Sequence, residues 1–188
     1  IAAYYKPATE CGGDWWSILR KNNKTALFIA DATGHGVPAA LLTATANCCV
    51  SNLQELLNAN PALIHSPSRM MEFINKAVCN VGNKILLTCF IAVIDHDKKL
   101  LITSNASHNP PLLFSPSDSG TMSKDLFQPL MTKPGPHLGK SFNSIYQQHE
   151  WTIKNNETLI LFTDGLLECC DKDGKAWGQR RFLKSLTK

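Results

Sequence analysis

The sequence predicts an α+β fold in which two antiparallel sheets pack face to face and helices lie outside them. The first observation is the order of the elements: strand-like runs, then two helical segments, then strand-like runs again. The second is the hairpin-length connections, since a parallel crossover needs roughly a dozen residues or more. The 188 residues, 44% of them hydrophobic, can bury one sizeable core, so we expect a single domain spanning residues 1–188.

In the first half, apolar runs rich in β-forming residues predict strands at residues 2–8, 15–20 and 25–30, with a polar turn at residues 21–24. A helix then begins near Pro38, because proline suits the first helical turn, and it ends at an Asn-Ala-Asn-Pro break. Its apolar positions recur at helical spacing: Leu42, Thr45, Cys49, Leu53 and Leu56.

A second helix is expected to start at Pro67 and to have its own apolar face, formed by Met70, Phe73, Ile74, Ala77 and Val81. The second half then returns to predicted strands, at residues 86–95, 100–104, 111–115, 144–151 and 158–163. The turn at residues 95–97 joins the first two as a hairpin, and residues 115–120 read as a surface loop.

Charge and hydropathy exclude several classes of protein. The net charge of +4 comes from scattered Lys and Arg, so nucleic-acid binding has little support. No apolar stretch reaches the roughly 18 residues that span a bilayer, and the first residues lack the pattern of a signal peptide. The seven cysteines are an odd number without a Cys-x-x-Cys pair, which favours reduced core residues. We therefore expect a cytoplasmic domain, cut from a larger protein that could itself be membrane-anchored.

Three aspartates stand next to or close to glycine, and two of them, Asp31 and Asp164, close strongly apolar runs. The third, Asp14, follows two glycines. Carboxylates gathered at the edge of a core repel one another unless a cation compensates, and all-oxygen ligands favour Mg²⁺, Mn²⁺ or Ca²⁺ over zinc. The alternative is that each aspartate only caps a turn.

Four motifs together closely resemble, in this order, the SpoIIE/RsbU-like branch of the PPM metal-dependent serine/threonine phosphatases. They are residues 10–16 (ECGGDWW), 31–42 (DATGHGVPAALL), 105–111 (NASHNPP) and 163–168 (TDGLLE). Four motifs in order are far more specific than a single Asp-Gly pair. The resemblance implies an α-β-β-α sandwich, which agrees with the order of the predicted elements. It also implies a further helix and strand that this sequence is expected to lack, and that carry one more metal-ligand aspartate.

The resemblance also implies a site for two ions, Mn²⁺ or Mg²⁺. Asp31 would bridge both ions, the backbone carbonyl of Ala32 would complete one coordination sphere, and Asp164 would bind the other ion. Asp14 and Glu10 would act directly or through coordinated water. Such a pair of ions can activate a water for attack on phosphorus and neutralise the phosphoryl oxygens.

Two histidines lie in the motifs. His35, four residues after Asp31, could protonate a leaving serine alkoxide or could only organise the Gly-His-Gly loop. His108 is expected to be structural, within a turn fixed by hydrogen bonds between side chains and backbone.

The implied function is metal-dependent hydrolysis of phosphoserine or phosphothreonine in a bacterial signalling regulator, such as an anti-sigma-factor antagonist. Two alternatives remain at this point. One is a non-catalytic regulatory module that keeps the fold, and the other is a two-metal phosphoesterase acting on small phosphates. The sequence does not indicate an oligomeric state.

Overall fold

The structure, a computed structural model, describes residues 1–7, 11–81, 85–117 and 122–187. The strands are β1 (Asp14–Lys21), β2 (Lys24–Ala32), β3 (Leu87–Asp95), β4 (Leu100–Ala106), β5 (Leu112–Phe114), β6 (Phe127–Pro129), β7 (Gln148–Thr152) and β8 (Thr158–Ile160). The α-helices are α1 (Val37–Ala59), α2 (Pro67–Val81), α3 (Gly165–Glu168) and α4 (Gly178–Ser185), and 3-10 turns lie at Pro61–His65 and Lys124–Leu126. Within the described ranges, no helix is long and apolar enough to cross a membrane.

The strands form two antiparallel sheets, as the sequence predicts. One sheet has five strands in the order β1-β2-β3-β4-β7, and the other has three in the order β6-β5-β8. Helices α1 and α2 pack on the outer face of the large sheet, and α4 packs on the small sheet through Phe182. The layers therefore run helix, sheet, sheet, helix, and the predicted α-β-β-α sandwich is confirmed.

Strand β3 shows why the core has two layers. Alternate side chains of a strand point to opposite faces, and at residues 89–94 of β3 both sets are apolar. Phe90 and Ala92 pack toward the small sheet, whereas Ile91 and Val93 pack toward the helices. A strand that is buried on both faces reads as a continuous apolar run, which explains the uninterrupted sequence of this segment.

Helix α1 confirms the predicted helix but corrects two core positions, of which the first is Thr45, only partly buried beside the fully buried Ala46. Leu42, Cys49 and Leu53 are buried as predicted, and the next buried position is Leu57 rather than Leu56. Leu56 is 44% exposed while Leu57 is fully buried, because a four-residue step from Leu53 keeps the side chain on the core face. In α2, Val81 is likewise exposed, and Met71 and Val78 are buried beside Met70 and Ile74.

Three strand predictions are wrong in extent. Residues 2–7 form no strand, and Ala8 lies outside the described residues. The segment predicted at residues 144–151 pairs only as Gln148–Thr152, the part that lies opposite β4. The segment predicted at residues 158–163 ends as a strand at Ile160, because its partner β5 offers only three residues for pairing. The predicted loop at residues 115–120 is described only up to residue 117.

Candidate metal centre

Asp14 and Asp31 are neighbours because of strand register. Asp14 is the first residue of β1 and is paired directly opposite Asp31 near the end of β2. Residues directly opposite in an antiparallel pair project from the same face of the sheet. On its other side, Asp31 is paired with Thr88 of β3. The two carboxylates therefore lie side by side, half-buried, at one end of the five-stranded sheet.

The backbone around Ala32 is tightly packed at the same end. The Ala32 amide donates to the carbonyl oxygen of Gly13 at 3.1 Å. A Cβ atom on Gly13 would lie 3.3 Å from the carbonyl oxygen of Ala32 and 3.2 Å from that of Gly34. Glycine before Asp14 thus permits a close approach of two chain segments, which brings the Ala32 carbonyl to the aspartates.

Asp164 reaches the same place from the other sheet. It follows β8 and precedes α3, and its carboxyl lies within hydrogen-bonding reach of Asp31. The neighbouring Thr163 side chain hydrogen-bonds to Asp14. A Cβ atom on Gly165 would lie 3.8 Å from Oδ2 of Asp14, so the start of α3 lies directly beside that carboxylate. The β1–β2 hairpin and a segment distant in sequence therefore bring their carboxylates together.

The electrostatics of this cluster indicate a deficit of positive charge. The pKa of Asp31 is raised to about 7, first by burial and then by the charges of Asp14 and Asp164, the hydrogen bond with Asp164 and the charge of Glu168. Burial also raises the pKa of Asp14, against the lowering effect of the Thr163 hydrogen bond. A bound cation would reverse both effects by favouring the ionised carboxylates.

The donor set fits a hard divalent ion that keeps part of its water shell. In the described part of the chain, no group of three or more His, Cys, Asp or Glu side chains is arranged so that it could hold a metal ion by itself. Mg²⁺, however, usually binds through one or two carboxylates and retains several waters. Carboxylates with a backbone carbonyl give an all-oxygen set of this kind. Glu10, the fifth predicted ligand, lies outside the described residues.

The two histidines differ sharply. His35 is exposed in the loop between β2 and α1, where Gly34 and Gly36 both have positive φ, and it has no polar partner among the described residues. His108 is only 6% exposed, and its backbone amide donates to Oδ1 of Asn105 at 2.7 Å. The predicted turn, fixed by side-chain hydrogen bonds to backbone, is therefore present at His108.

Two residues near the cluster were not singled out by the sequence analysis. Glu168 is close enough to raise the pKa of Asp31, and Thr163 bonds to Asp14. Glu168 follows Asp164 by four residues, and that spacing along a helical turn is a signal that could have found it. The contact made by Thr163 depends on the packing of one sheet on the other, which no local pattern reports.

Comparison with known proteins places this chain in a family. The family model described as Stage II sporulation protein E (SpoIIE) matches residues 21–188. Phosphoserine phosphatase RsbU of Bacillus subtilis (strain 168) is 29% identical over 175 residues, which cover 93% of this chain and 48% of RsbU. The chain thus spans about half the length of this curated relative.

Solved structures agree on the fold. The SiaA-PP2C domain of Pseudomonas aeruginosa superposes with a TM-score of 0.77 at 20% identity, covering 98% of this chain and 69% of that domain. RsbX, solved in complex with magnesium, gives a TM-score of 0.62 at 20% identity and covers 95% of this chain and 80% of RsbX. At these identities the likeness concerns the fold.

Proposed function

Because this chain belongs to the SpoIIE family, we propose that it is a metal-dependent phosphatase that hydrolyses phosphoserine or phosphothreonine in a protein. The observation that carries the proposal is the convergence of Asp14, Asp31 and Asp164 at one end of the sandwich. Mutually repelling carboxylates are costly for a fold that has no cation to place among them. The similarity to a protein named phosphoserine phosphatase supports the choice of reaction.

In this proposal the aspartates hold two divalent ions, Mg²⁺ or Mn²⁺. The ions would supply an activated water and neutralise charge on the phosphoryl oxygens. Asp31, which lies close to both Asp14 and Asp164, would be suited to contact both ions, and the Ala32 carbonyl would add a neutral oxygen. Glu10 is kept as a fifth candidate ligand. RsbX in complex with magnesium supports a divalent ion at the level of the fold.

Two residues of the site would lose or donate protons. Asp31 must lose its proton before it can bind an ion, and its raised pKa makes that step pH-dependent. His35 is exposed on the loop that follows Asp31, so we retain it as the candidate donor to the leaving serine alkoxide. The substrate we propose is a phosphorylated cytoplasmic regulator of the anti-sigma-factor-antagonist type.

The test is phosphatase activity on a phosphoserine peptide, a nucleotide and a small aryl phosphate, each with and without Mn²⁺. We expect Mn²⁺-dependent release of phosphate from the peptide. Asp31→Asn keeps the volume of the side chain but removes its charge, so turnover should fall at least about a hundredfold. Asp125→Asn, at an exposed aspartate away from the cluster, is the matched control and should retain full activity.

Three outcomes would contradict the proposal. Turnover of Asp31→Asn within about tenfold of the unaltered chain would remove Asp31 from the site. Faster hydrolysis of nucleotides than of the peptide would favour the small-phosphate alternative. Mn²⁺ binding without hydrolysis of any of the three substrates would favour a regulatory module.

A further inference from the structure

We propose that His108 is a positioning residue that holds the Asp164 segment against the sheet that carries Asp31. The imidazole lies between the two sheets, with Nδ1 2.8 Å from the Thr88 hydroxyl and Nε2 3.2 Å from the Phe162 carbonyl oxygen. Thr88 is the strand partner of Asp31, and Phe162 lies two residues before Asp164. One buried ring thus connects both sides of the candidate metal centre. This inference rests on the proposed function.

The partners of the ring determine its tautomer. A carbonyl oxygen can only accept, so Nε2 carries the hydrogen and donates to Phe162. Nδ1 then accepts from the Thr88 hydroxyl at 2.8 Å. That hydroxyl oxygen also lies 3.3 Å from the Asp31 carbonyl oxygen, but its single hydrogen serves the shorter contact. Burial lowers the pKa of His108 to about 4, which agrees with a neutral ring.

The hydrogen bonds between strands do not hold Asp164 in place relative to Asp31. Asp14 and Asp31 are held by the pairing of β1 with β2. Among the described strands, β8, which precedes Asp164, pairs only with β5 within the small sheet. Strand pairing therefore does not fix the distance between Asp164 and Asp31. The His108 ring, which is bonded to Thr88 of the large sheet, donates a hydrogen bond to the Phe162 carbonyl. This bond constrains the position of the Asp164 segment relative to the large sheet. Groups behind metal ligands orient them and affect metal affinity in this way.

The turn that carries the His108 ring is held by hydrogen bonds of its own. Asn105 at the end of β4 accepts the His108 amide at 2.7 Å and donates to the His108 carbonyl at 3.1 Å. The intervening Ser107 has φ 58° and donates from its hydroxyl to the Gly135 carbonyl at 2.7 Å. The position of the imidazole is therefore set by bonds to the large sheet and to the connection at Gly135.

Two substitutions of matched polarity separate positioning from simple packing. In His108→Gln the side-chain amide can reach the place of Nε2 and donate to Phe162, whereas in His108→Asn the amide is too short. The measurements are calorimetric titration of Mn²⁺, kcat and KM on a phosphoserine peptide, and the melting temperature without metal. Val78→Ala leaves a cavity at a fully buried position of α2, so it controls for loss of stability alone.

For His108→Asn we expect Mn²⁺ affinity and kcat to fall roughly ten- to a hundredfold with KM little changed, and for His108→Gln a change within about threefold. Val78→Ala should melt earlier with unchanged Mn²⁺ affinity. If His108→Asn does not fold, Thr88→Val, which removes only the hydroxyl that holds Nδ1, should weaken Mn²⁺ binding in its place.

Equal Mn²⁺ affinity in the Asn, Gln and unaltered chains, with only the melting temperature reduced, would overturn the inference and leave His108 a packing residue. The proposed function fails separately, if the unaltered chain binds Mn²⁺ without hydrolysing the peptide. The comparison of Mn²⁺ affinities then still decides the role of His108.

Discussion

At the scale of single residues, Asp31 shows how the site lowers the free energy of unfolding when no metal is bound. Its carboxyl is half-buried beside Asp14 and Asp164, and its pKa is raised from 3.8 to about 7, first by burial and then by those two charges. Between these values the folded chain binds more protons than the unfolded chain. The free energy of unfolding must therefore fall as pH rises through this window in the absence of metal.

This linkage gives a prediction with a definite sign. Asp31→Asn removes the titrating charge, so without metal it should melt at a higher temperature than the unaltered chain at pH 8, and the difference should vanish toward pH 4. Calorimetric scans of both proteins with a chelator measure the difference. Mn²⁺ affinity of the unaltered chain should rise with pH up to about 7, since the ion displaces a proton. A lower melting temperature for Asp31→Asn at pH 8 would contradict this account.

At the scale of elements, Asn75 anchors α2 to the connection that follows β6. Its side chain is fully buried, and its amide donates to the Ser141 carbonyl at 2.9 Å. Its oxygen accepts from the Gly139 amide at 3.0 Å and from the Tyr146 hydroxyl at 3.2 Å. A single polar residue on an otherwise apolar helix face thus satisfies three groups of a segment without regular secondary structure.

Asn75→Ala should lower the free energy of unfolding by about 2 to 4 kcal/mol, because each buried group left unsatisfied costs about 1 to 3 kcal/mol. Asn80→Ala, at an exposed position of the same helix, is the control and should change stability by less than about 0.5 kcal/mol. Urea denaturation of the two variants measures both. Equal stabilities would show that the segment holds its place without Asn75.

The sequence predicts where helices and strands lie better than it predicts which of them pair or pack together. Hydrophobic periodicity located α1, α2 and the strands β1 to β4, because it reports which face of an element is buried. It could not place β7 beside β4 or limit β8 to three residues, since both depend on segments distant in the chain. Asn75 gave no signal for the same reason, because Ser141, Gly139 and Tyr146, which it holds, lie more than 60 residues away.

At the scale of the whole molecule, the sandwich assembles the candidate site from both sheets. Asp14, Asp31 and Asp164 were predicted because each stands close to glycine, and the structure brings them together. The supporting contacts of Thr163, Glu168 and the His108 ring arise only when the sheets pack. Sequence therefore predicted the candidate ligands, and the fold adds what orients them.

The central claim is that these three aspartates hold divalent metal. The most direct measurement is anomalous diffraction from crystals of the chain grown with Mn²⁺. The account predicts anomalous peaks between the carboxylates of Asp31 and Asp164 and beside Asp14, with the Ala32 carbonyl oxygen among the ligands. No peak at this end of the sandwich, with Mn²⁺ bound elsewhere or not at all, would contradict it.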